Sequence, residues 1–480
     1  MSSPEIGNYL LSFGDRITVQ KRGKSVRLLS PNGRHSFKDV PPPVLRVARG
    51  LKKGRWTVAE LIQKAELTDL SRMFEVLEWV RRFGPWLSTT VRAPDGRDLV
   101  TLEPVSQSFV LQIGAPDPKT IYRLSRFALL RREGAELCLE SPTTTGRVWI
   151  HDPRVLICIH AWTTGADLDQ ATQGSDLPPE TIREAASLLV GHGFLSSSTR
   201  EDSGEATQED QDPALQSWDF HDLLFHSRSR LGRHVGAYGK TERFLGRSEP
   251  SPSVKAPGDG QRIPLPKPDL DAVAARDLSL LEVMETRRSR RGLRSALTVE
   301  QLGEFLFRTA RSEPAEDGER SYPHDRRPYP SGGSCNELEL YVVVRECVGL
   351  KAGLYHYRPD DHGLEKKRDF DPPVQALMGG AHGSLGPDGA QAPPQILLVF
   401  AARFRRVAWA YESMAYALIL KHVGVLIQSM YLVATSMGLG ACAVGGGDSD
   451  AFAAATGLDY LVEGSVGEFV LSGVDASGAA

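Results

Sequence analysis

Cysteine is scarce in this chain of 480 residues, and no two cysteines are spaced as a CxxC pair. The five cysteines lie far apart, at Cys138, Cys158, Cys335, Cys347 and Cys442. This pattern excludes a disulfide framework and a zinc site of the usual ligand spacing, and it favours a reducing compartment such as the cytoplasm. The N-terminal residues carry no basic stretch ahead of an apolar run, so we expect no signal peptide.

A surplus of positive charge is also lacking. The 57 lysines and arginines are outnumbered by 60 aspartates and glutamates, and the net charge is −3. No chain-wide basic field is available to neutralise a phosphate backbone or an anionic lipid surface, so we expect neither nucleic acid nor a membrane as partner. The most apolar long stretch, 414–440, contains Lys421, His422 and Gln428, which is typical of a buried helix rather than a membrane span.

Two segments divide the chain into predicted domains. The acidic segment 196–213 has almost no apolar residues, so burial cannot offset the entropy of ordering it, and we expect a flexible linker at 201–215. The proline-rich segment 249–269 predicts an extended connector, because proline neither continues a helix nor donates to a sheet. The predicted organisation is therefore two modules, 1–100 and 101–200, the linker, and a larger domain at 216–480.

The first 200 residues carry the same order of features twice. A strand, a turn, a second strand, a proline, a short apolar helix and a further helix follow one another from Arg27 and again from Cys138. This repetition predicts two related modules of the winged-helix type. Winged helices more often bind DNA, but neither third helix carries a basic stripe, which favours peptide binding or a purely structural role.

Beyond residue 269 the pattern predicts helices packed on a mainly antiparallel sheet, an α+β fold. Capping boxes at Ser279 and Thr298 predict the starts of two helices, the first running toward Gly292. Alternating or apolar runs predict strands near 337–344, 353–357, 396–400, 441–444 and 468–473, with a long helix ending at Gly438. His356 is expected on the exposed face of its strand.

Three clusters in this region could contact a ligand. Arginines at 287, 288, 290 and 291 surround Ser289 at a helix end, and guanidinium groups are natural ligands of phosphate, although cations there also offset the helix dipole. The small residues of PSGGS, 330–334, let the backbone approach a flat ligand. Glycines at 445–447 form the third cluster, and no GxGxxG entering a helix or GxxxxGK[ST] sequence supports a dinucleotide fold or a P-loop.

The order and spacing of these motifs resemble the FMN-dependent nitroreductase-fold enzymes. Within them the chain is similar to the SagB-type dehydrogenases, which include the thiazoline oxidases of cyanobactin clusters. The resemblance runs through RRSRRGL, LTVEQLGEFLFR, YPSGGSCNELELYVVV, GLYHY and WAYESMAYALILKHVGVLIQSMYLVATSMGLGACAVGG. WDFHDLLFHSRSRLGR, from Trp218, resembles the segment that precedes the flavin domain in the cyanobactin branch, so the likeness covers the chain after Trp218 and, more faintly, the doubled module.

The resemblance implies an FMN-dependent oxidation of thiazoline or oxazoline rings to thiazole or oxazole in a ribosomally made peptide. The substrate would lose a hydride to the flavin and a proton to a base. The family's cofactor contacts fall on Arg287, Arg288, Ser289, Arg291, Pro330, Ser331, Gly332, Gly333, Ser334, Asn336, Gln428, Gly445 and Gly446. The family also implies a homodimer, since its fold builds each flavin site from two chains. N-terminal modules that grip the leader or core peptide, and a cyclodehydratase partner, fit the same resemblance.

The chain departs from the family at the expected base. The family's Lys-Tyr pair before the long helix is replaced by Ala410 and Tyr411. A tyrosine, with a free pKa near 10, is a poor base unless a cation lowers its pKa. The candidates for that cation are Arg403, Arg405 and Arg406, and the candidates for another base are Lys421 and His422.

The missing lysine leaves other functions open. One is a flavin dehydrogenase of the same fold that desaturates a non-azoline peptide or a carrier-bound substrate. Another is a non-catalytic peptide-binding scaffold, although the intact arginine and PSGGS motifs speak against decay of the site. A nicotinamide-dependent reductase of nitro compounds or quinones would leave the N-terminal half unexplained.

Overall fold

The computed structural model describes residues 8–30, 33–65, 69–198, 207–233, 236–291, 295–315, 320–386 and 393–473. The chain divides into two compact units, residues 1–238 and 239–480. The strands of the first unit are β1 (Leu10–Phe13), β2 (Thr18–Arg22), β3 (Ser25–Ser30), β4 (Gly33–Phe37), β5 (Leu87–Arg92), β6 (Asp98–Pro104), β7 (Ile121–Leu124), β8 (Leu129–Glu133), β9 (Glu136–Glu140), β10 (Gly146–Ile150) and β11 (Leu195–Ser198). Its helices are α1 (Pro42–Lys53), α2 (Val58–Lys64), α3 (Leu70–Phe83), α4 (Arg154–Thr164), α5 (Leu168–Thr172), α6 (Pro179–Gly191), α7 (Gln208–Gln211), α8 (Pro213–Gln216) and α9 (Phe220–Arg228).

The first unit repeats one order of elements. A group of strands, three helices and a returning strand occur as β2–β4, α1–α3 and β5, and again as β8–β10, α4–α6 and β11. The middle helix of each copy begins at a capping box, formed by Thr57 with Glu60 and by Asp167 with Gln170. Each copy packs its helices over a hydrophobic cluster of its own. The predicted repetition is therefore present in the element order, while the winged-helix assignment stays a prediction.

An antiparallel sheet of six strands joins the two copies, in the order β1-β5-β6-β10-β9-β8. Strands β2, β3 and β4 form a smaller sheet, and β7 pairs with β11. Strand β5 of the first copy and β10 of the second both pair with β6, so the two copies share one sheet.

The boundary between the units differs from the prediction. Residues 201–206 of the predicted linker lie outside the described part of the chain, but Thr207 and Asp210 form a capping box that starts α7, and α8 follows directly. Arg126 donates to the carbonyls of Leu215 and Trp218, and so ties this segment to the first unit. Residues 216–238 therefore belong to the first unit rather than to the C-terminal domain.

The second unit contains the strands and helices that the C-terminal motifs predict. Its strands are β12 (Gly239–Lys240), β13 (Arg262–Pro264), β14 (Glu313–Pro314), β15 (Asp325–Arg326), β16 (Leu338–Val344), β17 (Gly353–Arg358), β18 (Gly363–Asp369), β19 (Ile396–Arg403), β20 (Tyr411–Glu412), β21 (Gly440–Val444) and β22 (Glu463–Ser472). Its helices are α10 (Leu270–Arg276), α11 (Leu280–Thr286), α12 (Val299–Ala310), α13 (Pro372–Gly383), α14 (Phe404–Ala410), α15 (Ala415–Ser436) and α16 (Ser449–Thr456).

A sheet of seven antiparallel strands forms the centre of this unit, in the order β13-β18-β17-β16-β19-β22-β21. One hydrophobic cluster packs α12 and α15 against one face, and a second packs α13 and α16 against the other. Every residue of β16 is buried because helices cover both faces. The α+β prediction is confirmed.

Helix α15 crosses this sheet and positions the site described below. By length and composition alone it could span a membrane, and in the structure 39% of its most apolar window is buried. Its buried side, which includes Ile419, Leu426 and Met430, packs on the sheet and on α12. The predicted helix is therefore present as a core helix that keeps one side accessible.

Two local expectations for this unit are wrong. Helix α11 ends at Thr286 and does not run toward Gly292. His356 is buried rather than on an open face, and its Nε2 lies 2.9 Å from the Glu339 carboxylate. Alternation of apolar and polar residues along a strand predicts an exposed polar side chain only when one face of the sheet is open to solvent. Helices cover both faces of this sheet.

Candidate active site

The arginine segment leaves the C-terminal end of α11. Arg287 caps the helix, and the chain then runs extended, with the Arg290 N–H donating to the Ala441 carbonyl at 2.8 Å. The Ser289 hydroxyl lies 3.0 Å from the hydroxyl of Tyr431, and the Arg287 guanidinium lies 5.4 Å from the centre of the same ring. The segment is therefore held against β21 and α15 at one place.

Tyr431 connects two predicted ligand segments. Its hydroxyl accepts a hydrogen bond of 2.7 Å from the Ala443 N–H, near the end of β21. The exposed glycines Gly445 and Gly446 follow directly, and a Cβ at Gly445 would meet nothing within 4 Å. Nothing in the sequence indicated this role, because a tyrosine in an apolar helix is ordinarily a packing residue.

The arginine segment carries charge that the described residues do not neutralise. Among them no carboxylate pairs with an arginine at 287, 288, 290 or 291, and Arg288 donates only to backbone carbonyls of Glu285 and Arg287. Positive charge without a counter-charge, beside a hydroxyl and open glycines, is what a phosphate group requires. Arg287, Arg288, Ser289, Arg291, Gly445 and Gly446 thus form one cluster, which we call the arginine cluster.

The PSGGS segment forms a second cluster. Its residues Gly332–Ser334 make a single 3₁₀ turn, and φ is positive at three positions: 61° at Gly333, 54° at Ser334 and 46° at Asn336. Ser331 Oγ donates to Asn336 Oδ1 at 2.7 Å and accepts from the Asn336 N–H at 3.0 Å. These local bonds hold a turn that the backbone adopts at a cost in strain.

Asn336 is buried beneath the turn and anchors it to Asp325. Its side chain is 2% exposed, and its amide donates to the Asp325 carbonyl at 2.7 Å and to the Asp325 carboxylate at 3.0 Å. The structure therefore places this predicted cofactor contact inside the protein, as a support of the turn.

Gly333 is enclosed by hydroxyl groups. Its carbonyl accepts from the Tyr322 hydroxyl at 2.7 Å and from Arg320 at 2.9 Å. A Cβ at this position would collide with the Tyr322 hydroxyl and lie 2.8 Å from the hydroxyl of Tyr411. Both the backbone conformation and the available space require glycine here.

His422 joins the turn to the core. Its Nε2 accepts a hydrogen bond of 2.7 Å from the Gly332 N–H, and its Nδ1 lies 2.7 Å from the Glu337 carboxylate. Both ring nitrogens are therefore occupied. The structure does not support His422 as a free base, and it places the residue under the turn instead.

Tyr411 lies beside the turn, but no arginine lowers its pKa in the way expected from the sequence. Burial raises the pKa of Tyr411, against the opposing charge of Arg320. The three arginines expected to lower the pKa are engaged elsewhere: Arg403 pairs with Glu339 at 2.8 Å, Arg405 donates to Ser248 Oγ, and Arg406 donates to the Cys335 carbonyl. Tyr411 consequently keeps its proton at neutral pH.

The turn and the arginine cluster contact opposite flanks of α15. His422 and Tyr431 are nine positions apart, so at about 100° per residue they point about 180° apart, with about 14 Å between them along the helix axis. The exposed side of α15 between these flanks carries Lys421, Gly424 and Gln428. We call the group of Tyr322, Pro330–Ser334 and Tyr411 the turn cluster.

Relatives identify the second unit. The Methanocaldococcus jannaschii protein MJ1384, described as a nitroreductase, is 31% identical over 189 residues, which are 39% of this chain and 85% of MJ1384. The chain belongs to the nitroreductase family. The nitroreductase family model matches residues 284–469, which include every predicted site residue.

A second model gives the branch of the family. The cyanobactin oxidase ThcOx model matches residues 122–235, which include the predicted segment from Trp218 and the second copy of the repeat. The trifolitoxin-processing protein TfxB of Rhizobium leguminosarum bv. trifolii is 30% identical over 118 residues, which are 24% of this chain and 31% of TfxB. This nitroreductase is thus a SagB-type, cyanobactin-oxidase-like member, as its motifs predicted.

Two solved structures illustrate what the chain is similar to. The Escherichia coli microcin synthetase McbBCD complex with a truncated pro-MccB17 bound contains a chain 20% identical to this one, with a TM-score of 0.33, covering 55% of this chain and 94% of that one. A nitroreductase-like protein of Desulfovibrio desulfuricans in complex with FMN is 15% identical, with a TM-score of 0.27, covering 42% of this chain and 91% of its own.

Proposed function

We propose that this nitroreductase is an FMN-dependent dehydrogenase that oxidises thiazoline or oxazoline rings in a ribosomally made peptide. The observation that carries the proposal is the arginine cluster, in which Tyr431 joins exposed glycines to arginines that pair with no carboxylate among the described residues. FMN would supply a two-electron acceptor for the ring's hydride. Arg287, Arg288, Ser289 and Arg291 would hold its phosphate and ribityl chain.

The placement of the two clusters supports a homodimer. A ligand bound by the arginine cluster on one flank of α15 cannot reach the turn cluster on the other flank without passing around the helix. A second copy packed on the open side of α15 would bring its turn cluster to the first copy's arginine cluster. Large apolar side chains are exposed on and beside this side: Tyr416, Leu420, Tyr460, Leu461 and Val462.

Proton transfer requires a group other than Tyr411. With its raised pKa, Tyr411 is a hydrogen-bond donor at neutral pH, so in this proposal it orients the substrate. The proton that the ring loses goes to solvent or to Lys421, which lies on the open side of α15. Gln428, on the same side, would meet the flavin at the interface between the two copies.

A groove in the first unit supports binding of a peptide. It has a volume of about 840 Å³ and is lined by α3 and residues 107–111. Phe74 and Val110 are 70% and 65% exposed there, and Arg81 and Arg82 lie at its edge. An apolar groove of this size suits side chains of a leader or core peptide. Azolines arise by cyclodehydration, so a cyclodehydratase is the partner that would supply the substrate.

One observation favours a second function. Ala410 replaces the family lysine and Tyr411 keeps its proton, so the site is less basic than the family's Lys-Tyr pair would make it. A flavin dehydrogenase that desaturates a non-azoline peptide or a carrier-bound substrate would need a base matched to a different proton. The experiment below separates these two functions by substrate.

The test begins with the visible spectrum of the purified protein and continues with anaerobic addition of a synthetic azoline peptide. We expect flavin bands that bleach on mixing, with loss of about two mass units from the peptide. The variant R288A/R291A should bind FMN at least about tenfold more weakly, because it loses charge-assisted bonds. Its matched control is Arg326→Ala, which removes an exposed arginine already paired with Glu313.

The outcomes distinguish the candidates. Flavin that stays oxidised with azoline peptides but bleaches with an unmodified peptide or a carrier-bound substrate would favour the second function. A colourless protein that does not take up FMN would overturn both enzyme functions.

A further inference from the structure

We propose that Glu337 and His422 form a positioning pair that aims the N–H of Gly333 at the ligand edge of the turn cluster. The inference rests on the proposed FMN site for the identity of the ligand, but not for the pair itself. It gives the two residues a role through the backbone of Gly332 rather than in proton transfer.

The first step concerns the proton on His422. Because the Gly332 N–H donates to Nε2 at 2.7 Å, Nε2 carries no proton. The ring proton therefore sits on Nδ1, which donates to the Glu337 carboxylate at 2.7 Å. Glu337 thus selects the tautomer that lets His422 accept from the turn.

Most backbone N–H groups of the turn already have an acceptor. The N–H groups of Gly332, Ser334, Cys335 and Asn336 donate to His422, the Ser331 carbonyl, the Gly332 carbonyl and Ser331 Oγ, respectively. Within the described chain, the N–H groups of Ser331 and Gly333 have no acceptor. Gly333, at the centre of the turn, is therefore available to donate to a ligand.

The N–H of Gly333 points out of the core. The Gly332 carbonyl accepts from the N–H of Cys335, a residue that is 0% exposed. In a trans peptide the carbonyl and the following N–H point in opposite directions, so the Gly333 N–H points away from Cys335. Tyr322 and Arg320 hold the Gly333 carbonyl on the other side of the residue.

The burial of Glu337 indicates that the pair is more than packing. Its side chain is 0% exposed, and its Oε2 has no hydrogen-bond partner among the described residues. A buried carboxylate that is only half satisfied opposes stability, and an apolar residue in its place would not. The burial of Glu337 is explained if its carboxylate orients the His422 ring, which in turn holds the Gly332 N–H.

The same unit contains a natural control. His356 and Glu339 form a second buried pair, 2.9 Å apart, and their side chains are 4% and 2% exposed. No hydrogen bond links His356 to the turn among the described residues. Replacing His356 therefore removes a comparable buried pair without releasing Gly332.

The test compares His422→Leu, His422→Gln and His356→Leu in two measurements. The first is amide hydrogen exchange of the segment 329–337 in FMN-free protein. We expect exchange at Gly332 to rise about tenfold or more in His422→Leu, since the lost bond protected its N–H, while the unbonded N–H of Gly333 exchanges readily in both proteins. His422→Gln keeps an acceptor for the Gly332 N–H and should restore most of the protection. His356→Leu should leave this segment unchanged.

The second measurement is FMN binding, followed by the absorption maximum of the bound flavin. His422→Leu should weaken binding about tenfold and shift the flavin spectrum, while His422→Gln should do less and His356→Leu neither. If wild-type protein binds no FMN, the proposed function fails, and the exchange data alone still judge the pair. Unchanged exchange in His422→Leu, or an equal rise in His356→Leu, would overturn the inference.

Discussion

The hydroxyl of Tyr431 lies 3.0 Å from the hydroxyl of Ser289, 142 positions away in the sequence. The same phenol oxygen accepts the N–H of Ala443. One side chain on the long helix therefore fixes both the arginine segment and the start of the glycine segment. This contact brings two stretches that are individually ordinary turns into one cluster, to which the proposed function assigns the FMN phosphate.

Tyr431→Phe tests this connection. The variant keeps the ring that packs on Phe469 but leaves the Ala443 N–H without its acceptor. We expect the free energy of unfolding to fall by about 1–3 kcal/mol, and FMN affinity to fall with it. Urea unfolding and quenching of FMN fluorescence measure the two effects. Tyr355→Phe, which removes a hydroxyl that donates to the Lys351 carbonyl outside both clusters, is the control: it should leave FMN affinity unchanged.

Gly333→Ala tests whether the turn cluster requires glycine. The residue has a φ of 61°, and a Cβ would collide with Tyr322, so the turn must shift. We expect FMN affinity to be lost, beyond the conformational penalty of about 1 kcal/mol for alanine in the left-handed region. Gly457→Ala is the matched control, because Gly457 has a φ of 73° and open space around it. It should lower stability by a similar conformational amount and leave FMN binding intact.

Tyr411→Phe tests the role of the phenol. Burial raises the pKa of Tyr411, so the hydroxyl stays protonated across the neutral range and donates hydrogen bonds. We expect the variant to turn over about a hundredfold more slowly while the pH dependence between about pH 6 and about pH 9 keeps its shape. A wild-type rate that rises with pH in this range, and a rise that disappears in the variant, would instead identify Tyr411 as the base.

The sequence anticipated what local chemistry determines. Thr298 and Gln301 form the predicted capping box, and the central strand β16 coincides with the apolar run that predicted it. The role of His422 could not be predicted from local sequence, because both of its hydrogen-bond partners lie 85 or more positions away. Tyr431 could not be found for the same reason: a helix pattern shows that a side chain is buried, but not which hydroxyl or N–H it meets.

Glu468 provides a test of stability against pH. This residue of β22 is 2% exposed, and neither carboxylate oxygen has a hydrogen-bond partner among the described residues. Burial, and secondarily the charge of Asp448, raises the pKa of Glu468 to about 7. The folded protein then binds a proton that the unfolded chain releases near its ordinary pKa of about 4.5. This contribution to stability is complete below the unfolded pKa and is lost as the pH rises through about 7.

We therefore expect wild-type protein to lose roughly 3 kcal/mol more than Glu468→Gln between about pH 4.5 and about pH 8, since glutamine stays neutral. Urea unfolding of both proteins at several pH values measures the difference. Glu365→Gln is the control of opposite sign: burial raises the pKa of Glu365, but the Gly258 N–H and Lys367 together hold it below its usual value. Glu365→Gln should lower the free energy of unfolding at pH values above the ordinary pKa of a glutamate. At pH values below the lowered pKa of Glu365, it should have little effect. Parallel curves for wild type and Glu468→Gln would show that the Glu468 carboxyl is already ionised and solvated in the folded protein.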